Sequence, residues 1–188
     1  MTDAELADYL DKHLGNELKW LLRAATEWHV QDILKLEIDG YNVQVYAMDS
    51  TFLRVRILFE FLTQKTTANY YGVDVFGLAP LASLYQQEWK GPLHSAVMHA
   101  QDRSCPGPVR SFDAADPPKH LKDMPVDLGR EMVRLWREFA VALGAHTNPA
   151  IARLGKRADS IVSEAISDAT RVVKNPMVSD HGVGPVSW

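Results

Sequence analysis

Residues 45–64 have the sequence VYAMDSTFLRVRILFEFLTQ, which is apolar on nearly every side of a helix. A helix that is apolar all round lies in the centre of a globular domain, where other elements cover it. We therefore predict an all-α fold, a single-domain bundle of five to seven helices around a buried central helix at about 45–64.

Four charged residues interrupt this central segment: Asp49, Arg54, Arg56 and Glu60. A buried charge needs a partner. Arg56 and Glu60 stand four positions apart and can pair directly on one helix face, and Asp49 lies on the face of Arg56, two turns earlier. The segment therefore predicts a polar network, which is either structural or directed into a cleft.

Helical signals also flank the central segment. Thr2 and Glu5 form a capping box, Gly15 is predicted to end the first helix, and Asn16 to cap the second. Further helices are predicted over 81–89, from 91–92 to about 103, over 128–143 and from Asn148 to about 173. The last two helices have these residues at inward-facing spacing: Met132, Leu135, Trp136, Phe139, Leu143, Ile151, Leu154, Ala158, Ile161, Val162, Ala165, Ile166, Ala169 and Val173.

Residues 34–45, with the sequence LKLEIDGYNVQV, fit two local structures. Apolar and polar residues alternate around Asp39-Gly40, which predicts a hairpin with Ile38 opposite Tyr41. Alternatively, one helix ends at Gly40 and the next begins near Asn42. Both flanks are strongly helical and an isolated hairpin is marginally stable, so we favour the helix–turn–helix.

The helical domain is predicted to span residues 1–174 and to be followed by a flexible tail over 175–188. Within the domain, residues 104–125 contain five of the chain's ten prolines and read as a Pro-rich loop. Such a loop is either a surface connector, here anchored by Phe112 and Leu121, or a lid over a binding site. We favour the connector.

The composition excludes several classes of protein. A chain of 188 residues with 46% hydrophobic and 23% charged residues suits one domain with a core. The net charge of -4 argues against DNA as a partner, although RNA at a local basic cleft stays open. There is no apolar run of about 18 residues and no signal peptide, so we expect no membrane association. The single cysteine, Cys105, suits a cytoplasmic location.

Residues 89–103, with the sequence WKGPLHSAVMHAQDR, carry the main chemical signal. On a helix His99 and Arg103 share one face, where an imidazole can act as acid or base and a guanidinium can hold a phosphate. The simpler interpretation is a structural pair, which spacing alone favours. The candidate catalytic residues are His99, Arg103 and Arg56, and the candidate supporting polar residues are Asp49, Arg54, Glu60, His94 and Asp102.

Motifs for metals, nucleophiles and nucleotides are absent from the sequence. The seven histidines show no zinc spacing, and no Glu-x-x-His pair of the di-iron type occurs. Nucleophile elbows and phosphate-binding loops are missing as well. We therefore expect neither a metal nor a cofactor.

Three segments together resemble HEPN domains: the Arg-bearing apolar residues 52–62, then Asp74-Val75-Phe76, then residues 97–103 with His99 and Arg103. The resemblance covers about residues 42–143. It implies a helical bundle that is often dimeric, and many members of the family are metal-independent RNases of toxin or phage-defence systems. In the family's motif the arginine precedes the histidine, whereas here Arg103 follows His99.

Three functions are compatible with these observations. The first, which we favour, is a HEPN-like interaction module that acts as a homo-oligomer or as a subunit of an assembly. The second is a metal-independent RNase that uses His99 and Arg103, with Arg103 or Arg56 on the phosphate. The third is a small-ligand sensor with residues 104–125 as its lid. The interaction module requires an exposed apolar patch, and the sensor a closed apolar pocket under the loop.

Overall fold

The computed structural model describes residues 1–35, 37–38, 41–83, 85–98, 108–111, 116–174, 178 and 182–188. These residues form an all-α bundle, as predicted, with one small hairpin. The elements are α1 (Asp3–Asp8), a π-helical segment (Tyr9–Leu14), α2 (Gly15–Leu34), β1 (Glu37–Ile38), β2 (Tyr41–Asn42), α3 (Val43–Thr63), a 3₁₀ turn (Val73–Phe76), a second π-helical segment (Tyr85–Trp89), α4 (Lys90–Met98), a 3₁₀ turn (Leu121–Asp123), α5 (Pro125–Gly144) and α6 (Pro149–Val173).

The N-terminal helix begins as predicted but does not end at Gly15. The capping box is present, since the Thr2 hydroxyl accepts from the Glu5 amide and the Glu5 carboxylate accepts from the Thr2 amide. Gly15 has helical dihedrals, φ -64° and ψ -38°, and the chain continues through it into α2. A Cβ atom at Gly15 would lie 3.2 Å from a methyl carbon of Ile161. The glycine therefore marks the close approach of α6 rather than a helix end.

The preference for a helix–turn–helix at 34–45 was wrong. Lys35 adopts the left-handed conformation, φ 52°, and ends α2. β1 and β2 then pair antiparallel, with Ile38 opposite Tyr41 and Glu37 opposite Asn42. The ladder stops after these two pairs because the next residue, Val43, already begins α3. The alternation of apolar and polar residues thus predicts the strand pairing, and the strong helical pattern that follows limits the length of the ladder.

The core lies between α3 and the long helices α2, α5 and α6. Val55, Leu58 and Phe59 on α3 are completely buried. Every predicted inward-facing residue of α5 and α6 is buried except Leu154 and Ile166, which are partly buried against the core. The buried indole of Trp136 donates to the Ala158 carbonyl at 2.8 Å, which ties α5 to α6.

One face of α3 is not covered, contrary to the prediction of a helix buried on every side. Tyr46, Leu53 and Ile57 are 60%, 45% and 39% exposed, and Asp49 is exposed beside them. The other side of the helix supplies its buried residues. The bundle therefore encloses one side of α3 and leaves open the face that carries Tyr46, Leu53 and Ile57.

The described parts of the Pro-rich loop are anchored to the bundle. Val109 and Lys119 exchange backbone hydrogen bonds of 2.8 and 3.0 Å. The Trp89 indole donates to the Arg110 carbonyl at 3.0 Å, and Leu121 is buried in the core. These contacts fit a tethered connector; Phe112, the second predicted anchor, lies outside the described residues.

The last described residues lie against the helices, whereas the sequence predicts a flexible tail after residue 174. Val183 is buried with Val30 and Val173. Trp188 packs on the main core, and Arg130 donates to the Ser187 carbonyl at 2.9 Å. None of the described helices has the length and apolar character that crossing a membrane requires.

Candidate functional site

The predicted acid/base pair cannot be placed, because His99, Arg103 and Asp102 lie outside the described residues. His94 is described, and it is exposed on α4. The catalytic role of His99 and Arg103 stays a prediction. RNA cleavage by the purified protein without added metal, compared with His99→Ala, tests it.

Arg56, the third candidate, is paired on its own helix. Its Nε donates to Glu60 Oε1 at 3.1 Å, which is the i, i+4 pair that the spacing predicts. Both side chains are about four-fifths buried, so each charge is largely removed from water. A guanidinium held by a neighbouring carboxylate is less suited to binding a phosphate than a free one.

Arg54 points to α2 instead of joining Arg56 and Glu60. Its Nη1 lies 2.6 Å from Glu17 Oε2, and its Nε lies 3.4 Å from the Ser50 hydroxyl. The guanidinium also covers the ring of Trp20, 4.5 Å from the centroid, as in a cation–π contact. Two members of the predicted network thus have separate acidic partners, Arg54 with Glu17 on one side of α3 and Arg56 with Glu60 on the other.

A second polar group at the end of α3 was not foreseen from the sequence. The Tyr70 hydroxyl donates to Gln64 Oε1 at 2.5 Å, and Lys90 Nζ lies 3.4 Å from the same oxygen. Nearby, the Tyr85 ring stacks on Phe59 with centroids 4.6 Å apart. Burial, and secondarily the charge of Glu60, raises the pKa of the Tyr85 phenol.

No local pattern could have identified these residues. Tyr70 and Lys90 approach Gln64 across 6 and 26 positions of the chain, which only the folded bundle brings together. Their hydrogen bonds hold the segment before α4 against the end of α3. We regard the group as structural support for the base of α4.

The outer face of α3 exposes three large apolar side chains. Tyr46, Leu53 and Ile57, spaced by seven and four residues, form one row, which we call the α3 stripe. Trp20 on α2, 52% exposed, extends the apolar surface beyond Arg54. The two ion pairs flank the stripe on either side. An apolar centre with a polar border is the usual arrangement of a protein–protein interface.

The structure offers no evident metal site within its described residues. No three His, Cys, Asp or Glu side chains in that part of the chain converge as ligands of an ion would.

Comparison of the chain with known family models, with curated proteins and with solved structures gives no match. The resemblance to HEPN domains therefore stays a prediction, and the function must be argued from the surface of this bundle itself.

Proposed function

We propose that the protein is a helical interaction module that self-associates through the α3 stripe. The observation that supports this proposal is the row of three large apolar side chains, 39–60% exposed, on a helix whose opposite side is core. Single exposed apolar residues are common on monomers, but a row of exposed apolar side chains with a polar border is typical of binding surfaces. Self-association is also what the HEPN-like resemblance implies.

A second copy of the chain can pack on this face in a defined register. Asp49 and Arg56 lie seven residues apart on the same side of the stripe. If two α3 helices pack antiparallel about a twofold axis near Leu53, residue 49 of one copy lies opposite residue 56 of the other. Each copy then places its Asp49 near the Arg56–Glu60 pair of the other copy, and the two Leu53 side chains meet at the axis.

The small exposed apolar area of the α3 stripe predicts a weak dimer. Burying the remaining exposed part of each stripe residue contributes about 1 kcal/mol. The dimer buries three such residues from each of its two copies, so the sum is roughly 6 kcal/mol. The loss of translational and rotational freedom costs about as much or more. Trp20, which is also largely exposed, must therefore contribute, and we expect association in the millimolar range.

Analytical ultracentrifugation of a concentration series tests the proposal. We expect the wild-type chain to shift from monomer to dimer, and the double variant Leu53→Glu/Ile57→Glu to stay monomeric, since it buries like charges at the axis. Val141→Glu is the matched control, because Val141 is also largely exposed but lies on α5. Circular dichroism confirms that all three chains fold.

Cross-linking tests the predicted orientation. In a Cys105→Ser background, Leu53→Cys is expected to form a disulfide-linked dimer under mild oxidation, and Val141→Cys is not. A wild-type chain that stays monomeric into the millimolar range would refute self-association. Equal cross-linking at both positions would refute the α3 stripe as the contact.

A further inference from the structure

Residues 182–188, with the sequence GVGPVSW, lie on the bundle without forming a helix or a strand, and we call them the strap. An apolar side chain near each end attaches the strap to the bundle. Val183 is 5% exposed and packs with Val30 of α2 and Val173 of α6. Trp188 packs on the main core. The residues between these two anchors are exposed or half-buried.

The Trp188 indole occupies a space between α5 and α2 that a glycine leaves open. A Cβ atom at Gly129 of α5 would lie 2.6 Å from Cζ3 and 3.1 Å from Cη2 of the indole. The same atom would lie 3.5 Å from a methyl carbon of Leu22 on α2. A glycine inside a helix costs stability relative to alanine, and here it provides the room for the ring. We call this space the Gly129 seat.

Few polar contacts hold the strap on the bundle. Arg130 Nε donates to the Ser187 carbonyl at 2.9 Å. No backbone–backbone hydrogen bond joins residues 183–188 to the rest of the described chain. Segments with few hydrogen bonds and few buried side chains open at a lower free-energy cost than the helices of a core. We therefore expect the strap to detach while the bundle stays folded.

The covalent link to α6 does not confine the strap to its own copy. The chain from Lys174, at the end of α6, to Gly182 reaches at most about 27 Å when fully extended. A second copy presents an identical seat, so the contacts that the strap loses in one copy are regained in the other. In dilute solution the strap of the same chain prevails, because a short connection gives it an effective concentration in the millimolar range.

We propose that the strap is exchangeable: it fills the Gly129 seat of its own chain in dilute solution and the seat of a second copy at millimolar concentration. Trp188 and Val183 are the anchors that the second copy receives, and its Arg130 binds the Ser187 carbonyl. This exchange is a route of self-association separate from the α3 stripe, and it does not rest on that proposal.

Two complementary variants test exchange between whole chains. Trp188→Ala keeps the seat and lacks the indole, whereas Gly129→Ala keeps the indole and blocks the seat. Both also carry Leu53→Glu/Ile57→Glu, which removes association through the α3 stripe. The Gly129→Ala chain is labelled with 5-fluorotryptophan, and its Trp188 fluorine resonance is identified by comparison with labelled Trp188→Ala. We expect this resonance to move towards its wild-type position as unlabelled Trp188→Ala is added to about 1 mM.

The matched control is the unlabelled double variant Gly129→Ala/Trp188→Ala, which lacks both the seat and the indole. Its addition should leave the Trp188 resonance of the labelled chain where it is. A resonance that also stays unmoved with Trp188→Ala would overturn the proposal. Equal movement with the double variant would place the indole elsewhere on the second copy and would overturn it as well. Because the stripe is removed from every chain, neither result depends on self-association through α3.

A synthetic peptide with the strap sequence provides a test that does not require Gly129→Ala to fold. Fluorescein-labelled GVGPVSW is titrated with Trp188→Ala and with the wild type, and binding is followed by fluorescence anisotropy. We expect about tenfold weaker binding to the wild type, whose own indole fills the seat, and about tenfold weaker binding of the peptide GVGPVSA to Trp188→Ala. Equal binding of the two chains or of the two peptides, or no binding at all, would overturn the proposal.

Discussion

Gly72 lies where the chain returns to the end of α3, and only a glycine fits there. A Cβ atom at this position would lie 2.2 Å from the Gln64 carbonyl oxygen and 2.7 Å from the Lys65 carbonyl carbon. Both atoms belong to the backbone and cannot move aside cheaply. We expect Gly72→Ala to lower the free energy of unfolding by about 1–3 kcal/mol, measured by urea denaturation.

Gly91 is the matched control for this change. It lies in α4, and a Cβ atom there would meet nothing within 4 Å. Because alanine is the better helix former, Gly91→Ala should be neutral or stabilise by about 0.5–1 kcal/mol. Equal effects at both positions would show that the backbone around Gly72 relaxes.

Asp74 stabilises the loop that contains Gly72 through hydrogen bonds to its carboxylate. Its Oδ1 accepts from the Thr66 amide and hydroxyl, both at 2.8 Å, and these bonds, the amide's first, lower the pKa of the carboxyl. Since the folded-state pKa lies below the unfolded one, its contribution to stability is complete above about pH 5 and is lost as the pH falls through the folded pKa.

The isosteric change Asp74→Asn isolates this effect, because it keeps an oxygen acceptor and removes the titration. We expect a smaller fall in the urea midpoint between about pH 6 and pH 3 for the variant than for the wild type. An identical fall in both proteins would mean that Asp74 titrates in the folded state as it does in the unfolded chain.

At the scale of elements, α2 and α3 are joined by Arg54, which contacts Glu17 and covers Trp20. The Arg54 and Glu17 side chains are 17% and 25% exposed, so the pair is less screened than a surface ion pair. We expect Arg54→Ala to cost about 1–2 kcal/mol, from the ion pair and the cation–π contact together.

Arg54→Lys should recover only part of this loss, because an ammonium cannot stack on the indole and donate in a fork at once. Lys12→Ala is the comparison, since Lys12 and Asp8 form a largely exposed pair within one helix turn. We expect no measurable change in the urea midpoint there. A full recovery by lysine would assign the whole effect to charge.

The elements that could be predicted from the sequence are those whose signals are local and periodic. The buried rows of α5 and α6 and the pairing of Arg56 with Glu60 follow directly from helical spacing. Gly15 was misassigned because a helix end and a close helix contact both select glycine. The outward face of α3 was missed because apolar residues that cover a core and those that are left exposed have the same spacing.

The site was predictable to a smaller extent than the fold. Arg54 was assigned to the network of its own helix, whereas Glu17, 37 positions away, is its partner. Gln31 on α2 and Asp168 on α6 line the same cleft, which no local pattern contains. Such contacts depend on how the helices cross, which is a property of the whole bundle.

At the scale of the whole molecule, the bundle includes the last residues of the described chain. The Trp188 indole packs on the core beside Gly129 of α5, and a Cβ atom at Gly129 would lie 2.6 Å from the ring. We expect Trp188→Ala to lower the free energy of unfolding by about 1–3 kcal/mol, since the indole is partly buried. Ser187→Ala, which changes an exposed side chain and keeps the backbone bond to Arg130, should have no effect.

A double-mutant cycle tests whether the Trp188 indole packs directly on Gly129. In the wild type, Gly129→Ala displaces the indole and should destabilise the protein. In the Trp188→Ala background the same change meets no ring, and the higher helix propensity of alanine should stabilise α5 by about 0.5–1 kcal/mol. A reversal of sign between the two backgrounds, measured by urea denaturation, is the expected result. The same destabilisation in both would show that Trp188 does not occupy the space above Gly129 in solution.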